Sequence, residues 1–191
     1  MNIKVAGISG SLRKGSYNTA LLHTAEELMP DGMSLEILDI SLLPFYNADV
    51  EKVGDPAAVK LFKDKINKAD ALLIATPEYN YSVPGVLKNA IDWASRPTRK
   101  SPLWGKPVAI MGASTSAFGT VRAQLHLRDM CLYNDMPIVR NPEVLIMKAE
   151  EKFDKHGKLT DQESREFVRK LMVSLAELTE LVASQREPAK V

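Results

Sequence analysis

Short, continuous apolar segments alternate along the chain with longer segments of helical periodicity. Most of the apolar segments are rich in Val, Ile, Leu and Ala, which is typical of strands buried on both faces. The segment 33–40 alternates apolar and polar residues instead, and this indicates a strand near a sheet edge. Strands are predicted at residues 3–8, 33–40, 70–76, 107–113 and within 136–147. Helices are predicted at about 17–29, 55–68, 85–95, 120–134 and 161–185.

Two of these helices carry detailed predictions of their ends and inner faces. Asp55 is predicted as the N-cap of the second helix and Pro56 as its first residue, after a loop at 41–54. The apolar face of that helix consists of Val59, Phe62 and Ile66. In the last helix, helical spacing is kept by Phe167, Leu171, Leu175, Leu178 and Val182.

The order of elements predicts the fold class. Helical connections between successive strands require parallel pairing, right-handed crossovers and helices on both faces of the sheet. Five such units predict an α/β protein, a flavodoxin-like three-layer sandwich with a five-stranded parallel sheet of order 2-1-3-4-5. We expect one domain over residues 1–185 and a frayed tail over 186–191. The loops after strands one, three and four then meet at the carboxyl edge, where such folds bind ligands.

The loop after the first strand, residues 9–18, is rich in Gly, Ser and Asn and carries Arg13 and Lys14. It lacks the Walker pattern, because Ser16 stands where that pattern needs lysine, and its glycines lack the dinucleotide-binding spacing. Hydroxyls, backbone N–H groups, positive charge and a helix N-terminus favour a terminal phosphomonoester. The alternative is a solvated turn in which Ser16 or Asn18 caps the helix.

The loops after the third and fourth strands suit a flat ligand. Residues 77–83 hold Tyr79 and Tyr81 between two prolines, which fix the backbone beside the aromatic rings. Alternatively, the tyrosines cover the sheet edge and Glu78 caps the following helix. Residues 114–119 offer small hydroxyl side chains and a glycine, or form a plain turn. A phosphate anchor beside a flat ring system matches flavin mononucleotide (FMN).

Composition narrows the class of protein further. The 191 residues include 25 basic and 24 acidic side chains, and the net charge of +1 does not favour nucleic acid or an anionic membrane as partner. The single cysteine, Cys131, excludes an internal disulfide and lies in an apolar helical stretch, which favours packing. Neither a secretory leader nor a membrane-spanning run is recognised, and a cytoplasmic protein is expected.

The chain contains two long motifs, GSLRKGSYN at 10–18 and PEYNYSVPGVLKNAIDW at 77–93. Both resemble the NAD(P)H-dependent FMN reductase family, in particular its bacterial chromate and quinone reductases. The resemblance implies that Ser11, Arg13, Ser16 and Asn18 hold the FMN phosphate and that Pro77, Glu78, Tyr79 and Asn80 line the isoalloxazine ring. Tyr17 and Tyr81, in the same motifs, and Ser114 and Ser116, in the third loop, complete the predicted cofactor-binding residues.

The resemblance also implies an activity. Hydride would pass from NADPH or NADH through FMN to quinones, azo compounds, chromate or free flavin, with no side chain as general acid or base. The main alternative is a flavodoxin-like electron-transfer module, although such modules are usually strongly acidic. A nucleotide-binding or phosphatase-like protein is disfavoured by the missing Walker lysine. Arg13, Lys14 and residues 96–100 could each meet a 2′-phosphate, so the choice between NADPH and NADH stays open.

A homodimer or homotetramer is expected, because an exposed flavin face needs a wall and the chain has no second domain to supply one. The helix from Phe118 to Tyr133 is predicted to form the interface through Leu125, Leu127 and Met130. The loop from Leu43 to Asn47 is predicted to reach across it.

The family's third loop often carries a Gly-Gly pair, whereas this chain has Gly119 followed by threonine.

Overall fold

The computed structural model describes residues 2–186, which form five strands and seven helices. Most of the tail predicted at 186–191 lies outside the described residues. The strands are β1 (Ile3–Ser9), β2 (Met33–Leu38), β3 (Ala71–Ala75), β4 (Val108–Ala113) and β5 (Val144–Ile146). The helices are α1 (Tyr17–Glu27), α2 (Ala48–Val53), α3 (Ala57–Lys68), α4 (Gly85–Ala94), α5 (Val121–Tyr133), α6 (Ala149–Lys152) and α7 (Gln162–Arg186).

The five strands form one parallel sheet of order β2-β1-β3-β4-β5. Strands β3 and β4 are buried at every position and β1 at all but one, whereas β2 alternates in exposure. The pairings of Ser9 with Ala75, and of Ala75 with Met111, bring the ends of β1, β3 and β4 to a common edge. The predicted fold class and the edge position of the second strand are confirmed.

Two hydrophobic cores cover the two faces of the sheet. Alternate residues of β3 point to opposite sides, so that Leu73 packs with α1 and α7 while Leu72 packs with α3, α4 and α5. Leu21 of α1 and Leu87 of α4 are fully buried in these cores. Because burying one such side chain contributes about 1.5–3 kcal/mol, packing on both faces fixes the strand ends that carry the site.

The side that α7 buries includes only part of the apolar row that its sequence spacing indicates. Phe167 is 41% exposed, whereas Val168 and Met172 are buried beside Leu171 and Leu175. Apolar side chains occupy more than one side of this helix, so its periodicity allowed several inner faces. Contact with α1, β4 and β5 selects the face that the helix buries.

The predicted start of α3 is also corrected. The helix begins at Ala57, and Pro56 is its N-cap without a side-chain cap bond. Asp55 accepts hydrogen bonds of 2.9 and 2.7 Å from Lys63 Nζ instead. The Lys63 side chain is largely buried, and an unpaired ammonium there would cost more than a lost cap.

Short elements escaped prediction because they bury little apolar surface. Residues 41–54 contain α2, whose cap Asn47 accepts a hydrogen bond from the Asp49 amide, and α2 has no buried residue. Helix α6 is only four residues long. Strand β5, by contrast, lies within the predicted range 136–147 and has three residues, while Ile138 forms an isolated bridge with Val108. Pro142 lies between the two segments, and proline cannot donate to a ladder.

Helix α5 is less exposed than the sequence predicted. Leu127 is fully buried and Met130 packs against the same core, so only Leu125 of the three predicted interface residues is exposed. Cys131 is also buried, and burial raises the pKa of its thiol to about 12. Cys131 is therefore a packing residue, as predicted.

Candidate functional site

The first loop, residues 10–16, connects β1 to α1 and ends in a defined helix cap. The Ser16 hydroxyl accepts hydrogen bonds from the Asn18 and Thr19 amides at 3.2 and 3.3 Å. Ser16 is buried, and it satisfies two of the amides that a helix start leaves without partners. Of the two predicted cap residues, Ser16 is the one that caps α1.

Asn18 has a different task, although it is only two residues away. Its side-chain Nδ2 donates to the Ala113 carbonyl and its Oδ1 accepts from the Ala113 amide, both at 2.9 Å. Asn18 is buried, and these bonds join the first turn of α1 to the end of β4. The side chain is therefore engaged within the protein, and it holds the first loop against the third.

The first loop keeps several donors free for a ligand. Among the described residues, the amides of Leu12, Lys14, Gly15 and Tyr17 donate to no acceptor. Arg13 and Lys14 are exposed and form no ion pair within residues 2–186. The Ser11 hydroxyl accepts only a long bond, 3.4 Å, from the Arg13 amide. This donor set, at a helix N-terminus with two cations, fits a phosphate group.

The second loop, residues 76–84, forms a tight turn at the end of β3. Tyr79 and Ser82 exchange two backbone hydrogen bonds of 3.0 Å, and Asn80 and Tyr81 between them adopt positive φ angles of 50° and 63°. Among the described residues, the amides of Glu78, Asn80 and Tyr81 have no acceptor. The Tyr79 and Tyr81 rings are exposed. The turn thus presents three amide donors beside two aromatic faces.

Glu78 caps a helix, but it is α5 rather than the following helix α4. Its Oε2 accepts from the Arg122 and Ala123 amides at 2.9 and 3.2 Å, and its Oε1 accepts from Arg122 Nη1 at 3.1 Å. Thr120 occupies the N-cap position of α5, but its side chain makes no cap hydrogen bond. The Glu78 carboxylate, from the second loop, accepts from the first amides of α5 instead. With three donors around it, Glu78 is a structural group.

The third loop, residues 114–120, uses its hydroxyls on itself. The Ser114 hydroxyl lies 3.2 Å from that of Ser116 and accepts from the Ser116 amide, while the Ser116 hydroxyl accepts from the Phe118 amide. Gly119 follows with a φ of 59°. The loop is therefore a self-bonded turn on the surface of the protein, with an exposed Phe118 ring.

Close backbone packing brings the three loops together. The Gly10 amide donates to the Ala75 carbonyl at 2.8 Å, and the Thr76 amide donates to the Met111 carbonyl at 3.0 Å. A Cβ at Gly112 would overlap the Thr120 hydroxyl and lie 2.5 Å from the Thr76 carbonyl oxygen, so only glycine fits there. All twelve sequence-predicted site residues consequently lie on these loops or on the first turn of α1.

Arg122 and His126 belong to this edge and were not predicted. Arg122 is the second residue of α5, and its guanidinium contacts the second loop. His126 Nδ1 lies 2.9 Å from the Ser82 hydroxyl. A positive side chain in the first turn of a helix interacts unfavourably with the positive end of the helix dipole. This unusual position was the one feature of the sequence that could have drawn attention to Arg122.

Within residues 2–186 no group of three His, Cys, Asp or Glu side chains is placed to hold a metal ion. In the same residues no helix combines the length and the apolar character needed to cross a bilayer.

Fold and site together define a flavodoxin-like α/β protein in which a loop with two exposed cations and an aromatic second loop lie at the same edge of the sheet. Residues 3–151 match the sequence profile of the NADPH-dependent FMN reductase family. The chain belongs to this family, which confirms the resemblance carried by the two motifs.

Individual proteins agree with this assignment. An NAD(P)H-dependent FMN reductase of Pseudomonas aeruginosa is 55% identical, over 91% of this chain and 94% of that protein. An NAD(P)H:quinone oxidoreductase of Solanum tuberosum is 46% identical, over 92% of each chain. The solved structure of FerB, a flavoenzyme NAD(P)H:(acceptor) oxidoreductase from Paracoccus denitrificans, superposes with a TM-score of 0.85 at 35% identity, covering 94% of this chain and 98% of that one.

Asn18→Ala is expected to lower the free energy of unfolding by about 2–4 kcal/mol, because it leaves the Ala113 amide and carbonyl unpaired in a buried place. Urea denaturation measures the change. Asn47→Ala is the control, since it removes one exposed cap bond at α2 and should cost about 1 kcal/mol or less. Equal losses for the two variants would contradict the role given to Asn18.

Proposed function

We propose that this protein is an FMN-dependent NAD(P)H oxidoreductase that reduces quinones and related acceptors. One observation carries the proposal: within residues 2–186, amides without acceptors occur in both the first and the second loop, at the same edge of the sheet, in a chain of the FMN reductase family. A single ligand with a phosphate at one end and a flat ring at the other would use both sets of donors.

The proposed phosphate end lies on the first loop. The Ser11 hydroxyl, the Arg13 guanidinium and the amides of Lys14, Gly15 and Tyr17 would surround the phosphate oxygens. Ser16 and Asn18 contribute by fixing the loop, because their side chains are already bonded to α1 amides and to Ala113. This divides the predicted phosphate-binding residues into those that touch the ligand and those that shape its cradle.

The proposed ring end lies on the second and third loops. The amides of Glu78, Asn80 and Tyr81 are available to the polar edge of the isoalloxazine ring, while Pro77 and the Tyr79 ring flank it. Ser114 and Ser116 form the wall opposite. Bound FMN would supply the redox chemistry, taking up two electrons from a reduced nicotinamide and releasing them to an acceptor.

The protein's part in this chemistry is to bind, orient and polarise. No acid–base role is assigned to Glu78, because the three hydrogen bonds that its carboxylate accepts account for it as the cap of α5. The Tyr79, Tyr81 and Phe118 side chains are exposed to solvent, so an accessible aromatic surface would lie beside bound flavin, which suits planar quinones and tolerates azo compounds, chromate or free flavin.

The proposal includes a cytoplasmic location with NADPH or NADH as co-substrate. Both nicotinamides are supplied in that compartment, and the one buried thiol requires no oxidising environment.

Protein saturated with FMN and then desalted is expected to keep the visible flavin bands. Anaerobic NADPH or NADH should bleach them, and a quinone should restore them. A colourless protein would contradict the proposal. Retained bands that respond to neither nicotinamide would identify an electron-transfer module instead.

Arg13→Ala is expected to raise the Kd for FMN about ten- to a hundredfold, because it removes a charge-assisted hydrogen bond to phosphate. The Kd for riboflavin, which has no phosphate, should stay the same. Fluorescence titration measures both. Arg140→Ala is the matched control, since Arg140 is exposed and precedes β5 at the opposite edge of the sheet. An unchanged FMN affinity in Arg13→Ala would refute the phosphate assignment.

We further propose that the chain forms a homodimer or homotetramer that walls the open face. The loop before α2 is held rigidly, because the Pro44 carbonyl accepts from Trp93 Nε1 at 2.8 Å and from Asn89 Nδ2 at 3.0 Å. Nevertheless Phe45 is 85% exposed, and Leu42 and Val53 in the same segment, residues 41–54, are also exposed. A fixed apolar projection of this kind suits contact with another protein surface.

Phe45→Ser is expected to shift the protein towards monomer in sedimentation velocity at micromolar concentration, because it removes the largest apolar group of this projection. Leu61→Ser, at an exposed leucine of α3, is the control and should sediment like the unchanged protein. A monomeric unchanged protein would refute the assembly.

A further inference from the structure

The second loop contains backbone strain that contacts from outside must hold. Asn80 and Tyr81, at its tip, adopt positive φ angles, which asparagine tolerates but tyrosine disfavours. The two hydrogen bonds between Tyr79 and Ser82 close only the base of the turn. Because such strained conformations persist only when neighbours over-determine them, the contacts at the tip are informative.

The Arg122 side chain contacts both the start and the tip of this turn, and it also contacts the third loop. Its Cζ lies 4.1 Å from the centre of the Tyr81 ring and 4.8 Å from the centre of the Phe118 ring. Its Nη1 lies 3.1 Å from Glu78 Oε1 at the start of the turn. Arg122 therefore connects two loops of the proposed flavin site.

The chemistry of arginine explains how it makes these contacts together. A guanidinium is flat and delocalised, so its face can cover aromatic rings while its edge donates to a carboxylate. Glu78 is 11% exposed and Arg122 35%, so water screens this ion pair less than a fully exposed one. The bond between Ser82 and His126, 2.9 Å long, fastens the end of the turn to the next turn of α5.

We propose that Arg122 is a positioning residue for the flavin ring. It fixes the strained turn, and with it the free amides of Asn80 and Tyr81, in the orientation that a ring edge requires. The inference rests on the FMN site proposed above and adds to it a residue that acts through the second loop. Arg122 and Arg13 thus serve opposite ends of the ligand, the ring and the phosphate.

The test compares Arg122→Met and Arg122→Lys with Arg128→Met. Arg128 lies on the same helix and pairs with Glu143 at 3.6 Å, so its loss controls for removal of a partly exposed ion pair from α5. In protein without FMN, hydrogen exchange at the Tyr79 and Ser82 amides reports the closure of the turn. Fluorescence titrations with FMN and with riboflavin report the ring site.

Arg122→Met is expected to speed exchange at both amides and to raise the Kd for FMN and for riboflavin by the same factor, about five- to thirtyfold. This equal effect distinguishes it from Arg13→Ala, which should affect FMN alone. Arg122→Lys should be intermediate, because an ammonium keeps the attraction to Glu78 but lacks the plane that covers the rings. Arg128→Met should match the unchanged protein.

Three results would overturn the inference. The first is that Arg122→Met has the same amide exchange rates and flavin Kd values as Arg128→Met. The second is that Arg122→Met raises the Kd for FMN but not the Kd for riboflavin. The third is that Arg122→Lys has the exchange rates and Kd values of the unchanged protein. If Arg122→Met does not fold, Tyr81→Leu removes the stacked ring from the other side and should give the same pattern. If the unchanged protein binds neither flavin, the proposed function fails, while the exchange measurement still decides the role of Arg122 in the turn.

Discussion

The burial of β1, β3 and β4 on both faces is the constraint on which the rest of this structure depends. Helices cover both sides of these strands, so polar groups can reach a ligand only from the strand ends. Because the strands are parallel and neighbouring, their carboxyl ends lie at one edge. Three loops that are far apart in sequence are therefore forced into one surface, and the two cores behind them keep that surface rigid.

At this edge, several polar side chains form hydrogen bonds that fix the loops. The groups that would face a ligand are therefore mainly backbone amides. Asn18 joins the first loop to β4, and Glu78 joins the second loop to α5. Both had been predicted as ligand contacts from motifs alone, yet their polar atoms are engaged within the protein. Within residues 2–186, the amides of Lys14, Gly15 and Tyr17 in the first loop region, and those of Asn80 and Tyr81 in the second, are left without acceptors. This arrangement suits a ligand whose polar atoms are spread along a phosphate and the edge of a flat ring.

The elements that were predicted well are those whose own burial is large. The central strands bury every residue or nearly so, and Val59, Phe62 and Ile66 of α3 all lie in the interior as their spacing required. Helix α2 buries nothing, and its polar sequence could not reveal it. Asp55 shows another limit of local patterns. The local sequence favours it as the N-cap of α3, but its carboxylate pairs instead with Lys63, a nearly buried lysine eight residues away.

The sequence by itself determined the alternation of strands and helices, the order of the sheet and the three loops that carry the site, because hydrophobic periodicity and loop chemistry are local properties. Only the tertiary structure decided which polar atoms in those loops are bonded within the protein and which are available to a ligand. Ser16 rather than Asn18 caps α1, Glu78 caps α5 rather than α4, and Arg122 joins two loops. Each of these outcomes depends on a partner distant in the chain or on competition between neighbouring groups for one donor or acceptor, and neither is visible in a local pattern.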